Sequence, residues 1–219
     1  MALSKENFQE FQQKLLAKNV TLVAVSKIQP LQKILKLYEF GQRDFGENYV
    51  QELLEKHEQL PKDIKWHFIG HLQSNKVKFI APFVHLIHGV DSFKLLKEIN
   101  KQGDKHQRII DVLLQVHIAT EETKFGLDAT ELQDIMHQME VQPLKNVNIK
   151  GLMGMASFSD DVAMVRKEFR KLKQLFDMLY QNHPDFKILS MGMSGDYEIA
   201  IEEGSNMVRI GSLLFGARI

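Results

Sequence analysis

Thr21-Leu22-Val23-Ala24-Val25 is a short apolar run rich in β-branched residues, and it reads as a buried strand. Pro30, a suitable first helical residue, follows it, with Ile34, Leu35 and Tyr38 at helical spacing. Gly41 stops that helix, and Arg43-Asp44-Phe45-Gly46 forms a second strand-like piece. The unit is strand, helix, strand. Upstream, Phe8, Phe11, Leu15 and Leu16 place a helix before the first strand. Downstream the alternation continues with a helix around Tyr49 to His57, a strand at Trp66 to Ile69 and a short helix after Asn75. A strand at Val84 to Ile87, a helix at Phe93 to Asn100 and a strand at Ile109 to Ile118 come next. Then come a helix at Asp128 to Met139, a strand at Ile149 to Met155, a long helix at Val162 to Tyr180 and a strand at Lys187 to Met191. A short helix from Asp196 to Glu202 and a strand at Met207 to Ile210 complete a set of eight strands.

Strands separated by helices of this length pair in parallel, because parallel neighbours need a long right-handed crossover. Eight such units close a barrel. The expected fold is α/β, a single (β/α)8 TIM barrel over residues 1–219. An open doubly wound sheet has similar alternation, but such sheets usually carry a phosphate loop after the first strand. Neither G-x-G-x-x-G nor a Walker sequence occurs, and no Gly, Ser or Pro linker divides the chain.

Composition narrows the function classes. Hydrophobic residues are 44% of the chain and charged residues 26%, enough apolar surface for a packed core. The 28 Lys and Arg balance the 28 Asp and Glu, so no net field recruits nucleic acid or an anionic membrane. Cysteine is absent, which excludes disulfides, thiolate catalysis, zinc–thiolate sites and iron–sulfur clusters, and suits a reducing cytoplasm. Lys5, Glu6, Glu10, Lys14 and Lys18 interrupt the amino-terminal region, which therefore does not read as a signal peptide. No later stretch reaches the roughly 18 apolar residues of a bilayer span. The expectation is a cytoplasmic protein with no nucleic-acid or membrane partner.

In a barrel, chemistry sits where strands end, at the carboxyl rim. Lys27 ends the first strand; an ammonium leaving an apolar wall is poorly hydrated, which favours the neutral amine needed for a Schiff base. The plainer reading is an ordinary lysine at a strand end. After the seventh strand, Ser190-Met191-Gly192-Met193-Ser194-Gly195-Asp196 offers glycines for close backbone approach, the Ser194 hydroxyl and a helix start facing an anion. Arg209-Ile210-Gly211-Ser212 ends the eighth strand and could add donors to the same anion. Adjacent loops after strands 7 and 8 are the usual phosphate site of this fold, whereas each motif alone is as readily a turn and a helix cap. His67 with His71, and His85 with His88, suggest a metal at first sight, but Gly70 interrupts the first pair, the second lies on an apparent strand where residues three apart point oppositely, and no third ligand is near in sequence. No metal is expected. Met153, Met155, Met191 and Met193 read as gap-fillers of the core rather than a flat pocket.

Three further stretches carry a resemblance: Phe45-Gly46-Glu47-Asn48-Tyr49, Trp66-His67-Phe68-Ile69-Gly70-His71-Leu72-Gln73-Ser74-Asn75-Lys76, and Leu189-Ser190-Met191-Gly192-Met193-Ser194. With Val23-Ala24-Val25-Ser26-Lys27 and Val208-Arg209-Ile210-Gly211, they make the chain resemble the pyridoxal phosphate (PLP) homeostasis protein family, the YggS/PROSC group, over nearly its whole length. That family is similar in fold to the barrel domain of bacterial alanine racemase. The resemblance implies PLP as cofactor, with Lys27 forming the internal aldimine and Ser194, Gly211 and Ser212 holding the phosphate. It also implies Arg209 facing the pyridine nitrogen and Asn48 near the ring. Ile28-Gln29-Pro30 departs from the family's common Thr-Lys-Pro, and Gly151 to Ser157 from its Gly-Leu-Met-Thr form.

The function so implied is a non-enzymatic PLP carrier or regulator in intracellular PLP homeostasis. Its partners would be PLP, free amino acids and PLP-dependent apoenzymes, and the chain is expected to be a monomer. One alternative is a PLP-dependent amino-acid racemase, which needs acid and base groups on both faces of the substrate. Racemases of the similar fold take one group from an additional β domain, which the sequence to Ile219 is not expected to supply. A second alternative is a PLP-free aldolase using Lys27 for its own Schiff base.

Overall fold

The computed structural model describes residues 4–120, 125–181, 183 and 185–216. Eight parallel strands close a barrel in chain order. They are β1 (Thr21–Val25), β2 (Asp44–Glu47), β3 (Lys65–Phe68), β4 (Leu86–Val90), β5 (Ile110–Val116), β6 (Val147–Gly154), β7 (Ile188–Ser190) and β8 (Met207–Ile210). Closure is direct: Val23 of β1 lies opposite Arg209 of β8. Helix α1 (Lys5–Leu16) precedes the first strand, and α2 (Leu31–Glu39), α3 (Val50–Gln59), α4 (Val77–Ile80), α5 (Phe93–Lys105), α6 (Ala129–Val141), α7 (Val162–Tyr180) and α8 (Tyr197–Glu202) connect successive strands. A last turn, α9 (Ser212–Phe215), follows β8. Among the described residues no helix is long and apolar enough to cross a membrane.

The period of two in a strand divides the core into two layers. Leu22 and Ala24 face outward into the large cluster between strands and helices, with Phe45, Trp66, Phe68 and Phe169. Val23 faces inward and meets Leu86, Leu113, Met153 and Met207 in a small cluster inside the barrel. Both faces are apolar, which is why β1 reads as a continuous hydrophobic run. The inner layer is incomplete as a hydrocarbon core, because His67, His88, Ser190 and Arg209 are also buried there.

Strand and helix bounds follow the sequence reading closely at β1, α7 and β8. β4 starts two residues later than expected, because Val84 N–H still donates to Ile80 O in the turn that ends α4. The shift puts His88 inside the strand and His85 just before it. α5 runs past the expected stop at Asn100 through Gly103. A Cβ there would lie 2.9 Å from the Arg108 carbonyl and from Asn146, so the glycine is a packing requirement and not a helix end.

Candidate functional site

β1 delivers Lys27 to the carboxyl rim two residues beyond Val25, in a turn that is strained and clamped. Ile28 has φ of 62°, a left-handed conformation costly for a β-branched residue. Its N–H donates to Glu52 Oε1 at 2.6 Å. Lys56 Nζ donates to the same carboxylate at 2.6 Å, and at 2.7 Å to both Glu47 Oε1 and Ser26 O. Ser26 Oγ completes the cluster by donating to Glu47 Oε1 at 2.6 Å. A buried cluster from β2 and α3 therefore fixes both residues flanking Lys27. Burial pushes the Glu47 carboxyl up to about 7, against the opposing pull of Lys56 and Ser26. Sequence reasoning missed this clamp: Glu52 and Lys56 look like an ordinary exposed i,i+4 pair, and only burial distinguishes them.

Arg209, on β8, is 3% exposed. Its Nη1 donates to Ser190 O at 2.9 Å and to Ser190 Oγ at 2.8 Å, and its Nη2 donates to Gly154 O at 3.1 Å. Burial lowers its pKa to about 10, with the Asp196 charge opposing. Pairing with Glu202 or Glu203 does not occur, since those carboxylates bind Arg166 and Arg170. Among the described residues no carboxylate forms an ion pair with Arg209; its direct hydrogen-bond partners are neutral acceptors, and the Asp196 charge acts on it from a distance.

The loop after β7 turns at Gly192, whose φ of 95° and close approach to Ala200 admit only glycine. Gly195, by contrast, faces open space, with nothing within 4 Å of where a Cβ would stand. The start of α8 does not supply donors as the sequence suggests, because Asp196 and Tyr197 N–H both bond back to Met193 O. The donors lie in the loops instead. The backbone N–H groups of Ser194, Gly195 and Ser212 have no partner among the described residues, and Gly211 N–H donates to Ser194 Oγ at 3.2 Å.

One cavity of about 630 Å³ gathers Lys27, Asn48, Ser194, Arg209, Gly211 and Ser212. All six residues singled out in the sequence thus meet at one rim. Asn48 Oδ1 is buried without a hydrogen-bond partner among the described residues. Of the methionines, Met155 and Met193 line the cavity while Met153 and Met191 are buried in the core. The loop after β6 is held by a residue not anticipated: Glu168 of α7 accepts from Ser157 N and Ser157 Oγ, both at 2.7 Å.

The histidines separate from the cavity. His71 approaches Asp91 at 3.4 Å. His67 and His85 meet at the opposite, amino-terminal mouth, and there Asp44 does provide the third candidate ligand that the sequence spacing conceals.

Comparison with known proteins agrees with this geometry. The family model described as alanine racemase, N-terminal domain, matches residues 2–219. A pyridoxal phosphate homeostasis protein of Aquifex aeolicus is 43% identical over 199 residues, covering 90% of this chain and 86% of the relative. One of Schizosaccharomyces pombe is 41% identical over 213 residues, covering 95% and 89%. Among solved structures, PipY of Synechococcus elongatus with PLP bound superposes with a TM-score of 0.87 at 33% identity, covering 97% of this chain and 100% of that one. Alanine racemase of Bartonella henselae, 18% identical with a TM-score of 0.74, shares the barrel over 60% of its length. A closed eight-stranded parallel barrel with this rim and these relatives belongs to the pyridoxal phosphate homeostasis protein family, built on the alanine racemase N-terminal-domain barrel.

Proposed function

We propose that this chain holds PLP on Lys27 as a monomeric cytoplasmic carrier and passes it to PLP-dependent apoenzymes, without turning over free amino acids. The observation that carries the reading is the composition of one cavity: a rim lysine, a buried arginine whose hydrogen-bond partners are neutral, and three backbone N–H groups without acceptors among the described residues. PLP supplies an aldehyde that condenses with a primary amine, a phosphate anion, and a pyridine ring that can act as an electron sink. Each feature has a match here. Lys27 presents the amine, and Ser194, Gly195 and Ser212 direct N–H groups at an anion. Asn48 offers its unpaired carbonyl oxygen near the ring. Arg209 has five N–H donors, of which three are engaged, so two remain for the ring nitrogen. The lack of cysteine supports a reducing compartment.

Absence of turnover follows from two features. A permanent guanidinium beside the ring nitrogen disfavours its protonation and so weakens the electron sink. A racemase also needs a second proton carrier across from the lysine; the described residues lining the cavity include no tyrosine, histidine or glutamate, and of its two carboxylates Asp160 is exposed at the rim and Asp196 accepts from Met193 N–H. The relatives named for PLP homeostasis fit the same reading. Incubation with L-alanine in deuterated water, followed by NMR, is expected to show no α-hydrogen exchange above background. Exchange at roughly 1 per second or faster, typical of PLP enzymes, overturns the non-catalytic reading.

The phosphate assignment has its own test. Gly195→Val places a side chain in open space, and with Ser194→Ala it also removes a hydroxyl. The backbone N–H groups stay in place; PLP affinity is expected to fall by about 1.5–3 kcal/mol for the Ser194 hydroxyl lost to the charged group and further as the valine occupies the space before the loop, while phosphate-free pyridoxal loses much less. Equal losses for the two vitamers would put the phosphate elsewhere.

A further inference from the structure

A single file of polar side chains crosses the inside of the barrel. Arg209 Nη1 donates to Ser190 Oγ at 2.8 Å, and Ser190 Oγ lies 3.2 Å from His88 Nδ1. His88 Nε2 is 2.9 Å from His67 Nδ1, and His67 Nε2 is 2.9 Å from Asp44 Oδ1. Arg209, Ser190, His88 and His67 are buried. Asp44, the first residue of β2, opens into a hollow of about 520 Å³ at the amino-terminal mouth, beside Lys65, His85 and Asp111. The file therefore runs from that mouth to the cofactor cavity at the other end.

Donor chemistry fixes its direction. A guanidinium can only donate, so Ser190 Oγ accepts from Arg209 and its own hydrogen is left for His88 Nδ1. His88 then carries its hydrogen on Nε2 and gives it to His67 Nδ1. His67 carries its hydrogen on Nε2 and gives it to Asp44, whose carboxylate can only accept. One arrangement satisfies every nitrogen in the file. Charge agrees with it: desolvation holds His88 well below the ordinary imidazole value and so neutral. At Asp44 burial is the largest influence and raises the carboxyl, but the His67 hydrogen bond together with the neighbouring His67, Lys65 and His85 groups outweighs it and the net shift is downward.

We infer that Asp44, His67, His88 and Ser190 are positioning residues, a hydrogen-bonded strut of fixed polarity that sets Arg209 against the cofactor ring from the far mouth of the barrel. The inference rests on the proposed placement of PLP at Arg209. It also weighs against a metal ion at Asp44, His67 and His85, whose ligand atoms lie within 4.8 Å of one another. A metal on His67 Nε2 would move both histidine hydrogens to Nδ1. Ser190 Oγ would then face two donors, and its own hydrogen would lose its acceptor.

Long-range ¹H–¹⁵N NMR on the uniformly labelled full chain without PLP reads the ring tautomers directly. Both His67 and His88 are expected to be protonated at Nε2, unchanged by added zinc. Asp44→Asn still presents an acceptor and is expected to leave the tautomers and the PLP absorption band in place. Asp44→Lys, at a half-buried mouth position, replaces the acceptor with a donor and is expected to reverse both tautomers and move the band. His88→Phe removes both of its hydrogen bonds and is expected to weaken PLP binding at least about tenfold, with His88→Gln restoring it through its own acceptor and donor. Hydrogens on Nδ1 in the wild type, zinc-shifted ring signals, or an unmoved band in Asp44→Lys would overturn the strut. Because the tautomers are read without cofactor, failure of PLP to bind would count against the cavity assignment and leave the strut to be judged separately.

Discussion

Lys27→Ala is expected to abolish covalent PLP attachment, from roughly one borohydride-fixed equivalent per chain to essentially none, because only a primary amine condenses with the aldehyde. The fold is expected to survive. The turn around Lys27 is held from both sides by groups other than its amine: Ser26 O and Oγ bind Lys56 and Glu47, and Ile28 N–H binds Glu52. Lys27 is also only half-buried, so its removal leaves no large cavity, and the stability change should stay near ±0.5 kcal/mol, as for surface substitutions. Noncovalent PLP should still bind weakly through the phosphate loops and Arg209. Mass spectrometry after borohydride reduction, with peptide mapping of the wild type, reads the outcome. A full equivalent fixed on the alanine variant, or a wild-type adduct on another lysine, removes Lys27 from the site.

Local signals made the barrel legible in the sequence. β-Branched runs, helical spacing and stop residues identify eight strands because each acts within one element, and alternation then leaves few topologies. Where tertiary packing decides, the reading slips, as in α5, expected to end at Asn100 but continuing through Gly103, which packs against the Arg108 carbonyl. At the site, Lys27, Arg209 and the loops after β7 and β8 announce themselves because they sit at strand ends carrying unusual chemistry. The supporting residues do not. Glu47, Lys56 and Glu168 are ordinary charges in the sequence, and their burial is created by contacts 9 to 48 residues apart. His67 and His88 sit on neighbouring strands, so their 2.9 Å contact is invisible to any spacing rule along the chain.

Arg209→Glu is expected to destabilise the protein by about 3–5 kcal/mol, the usual cost of an uncompensated buried charge. At first sight this substitution offers a switch, since an anion beside the ring nitrogen would favour the pyridinium. The geometry opposes it. Every partner of Arg209 accepts: Ser190 O, Ser190 Oγ and Gly154 O. A carboxylate there would face two carbonyl oxygens without a hydrogen to give, and neither Arg166 nor Arg170 could compensate it, being committed to Glu202 and Glu203. The midpoint of thermal unfolding should fall by on the order of 10 °C. Arg209→Gln is the informative variant, because its amide still donates to one of the carbonyls and removes only the charge and the fork. Its stability loss should be about 1–2 kcal/mol, comparable to one or two hydrogen bonds. It should retain PLP on Lys27 with a shifted absorption band, since the ring nitrogen then loses its neighbouring cation. A glutamate variant as stable as the wild type would contradict the buried acceptor set. A glutamine variant whose band does not move would place the ring away from β8 and leave Arg209 a purely structural cation.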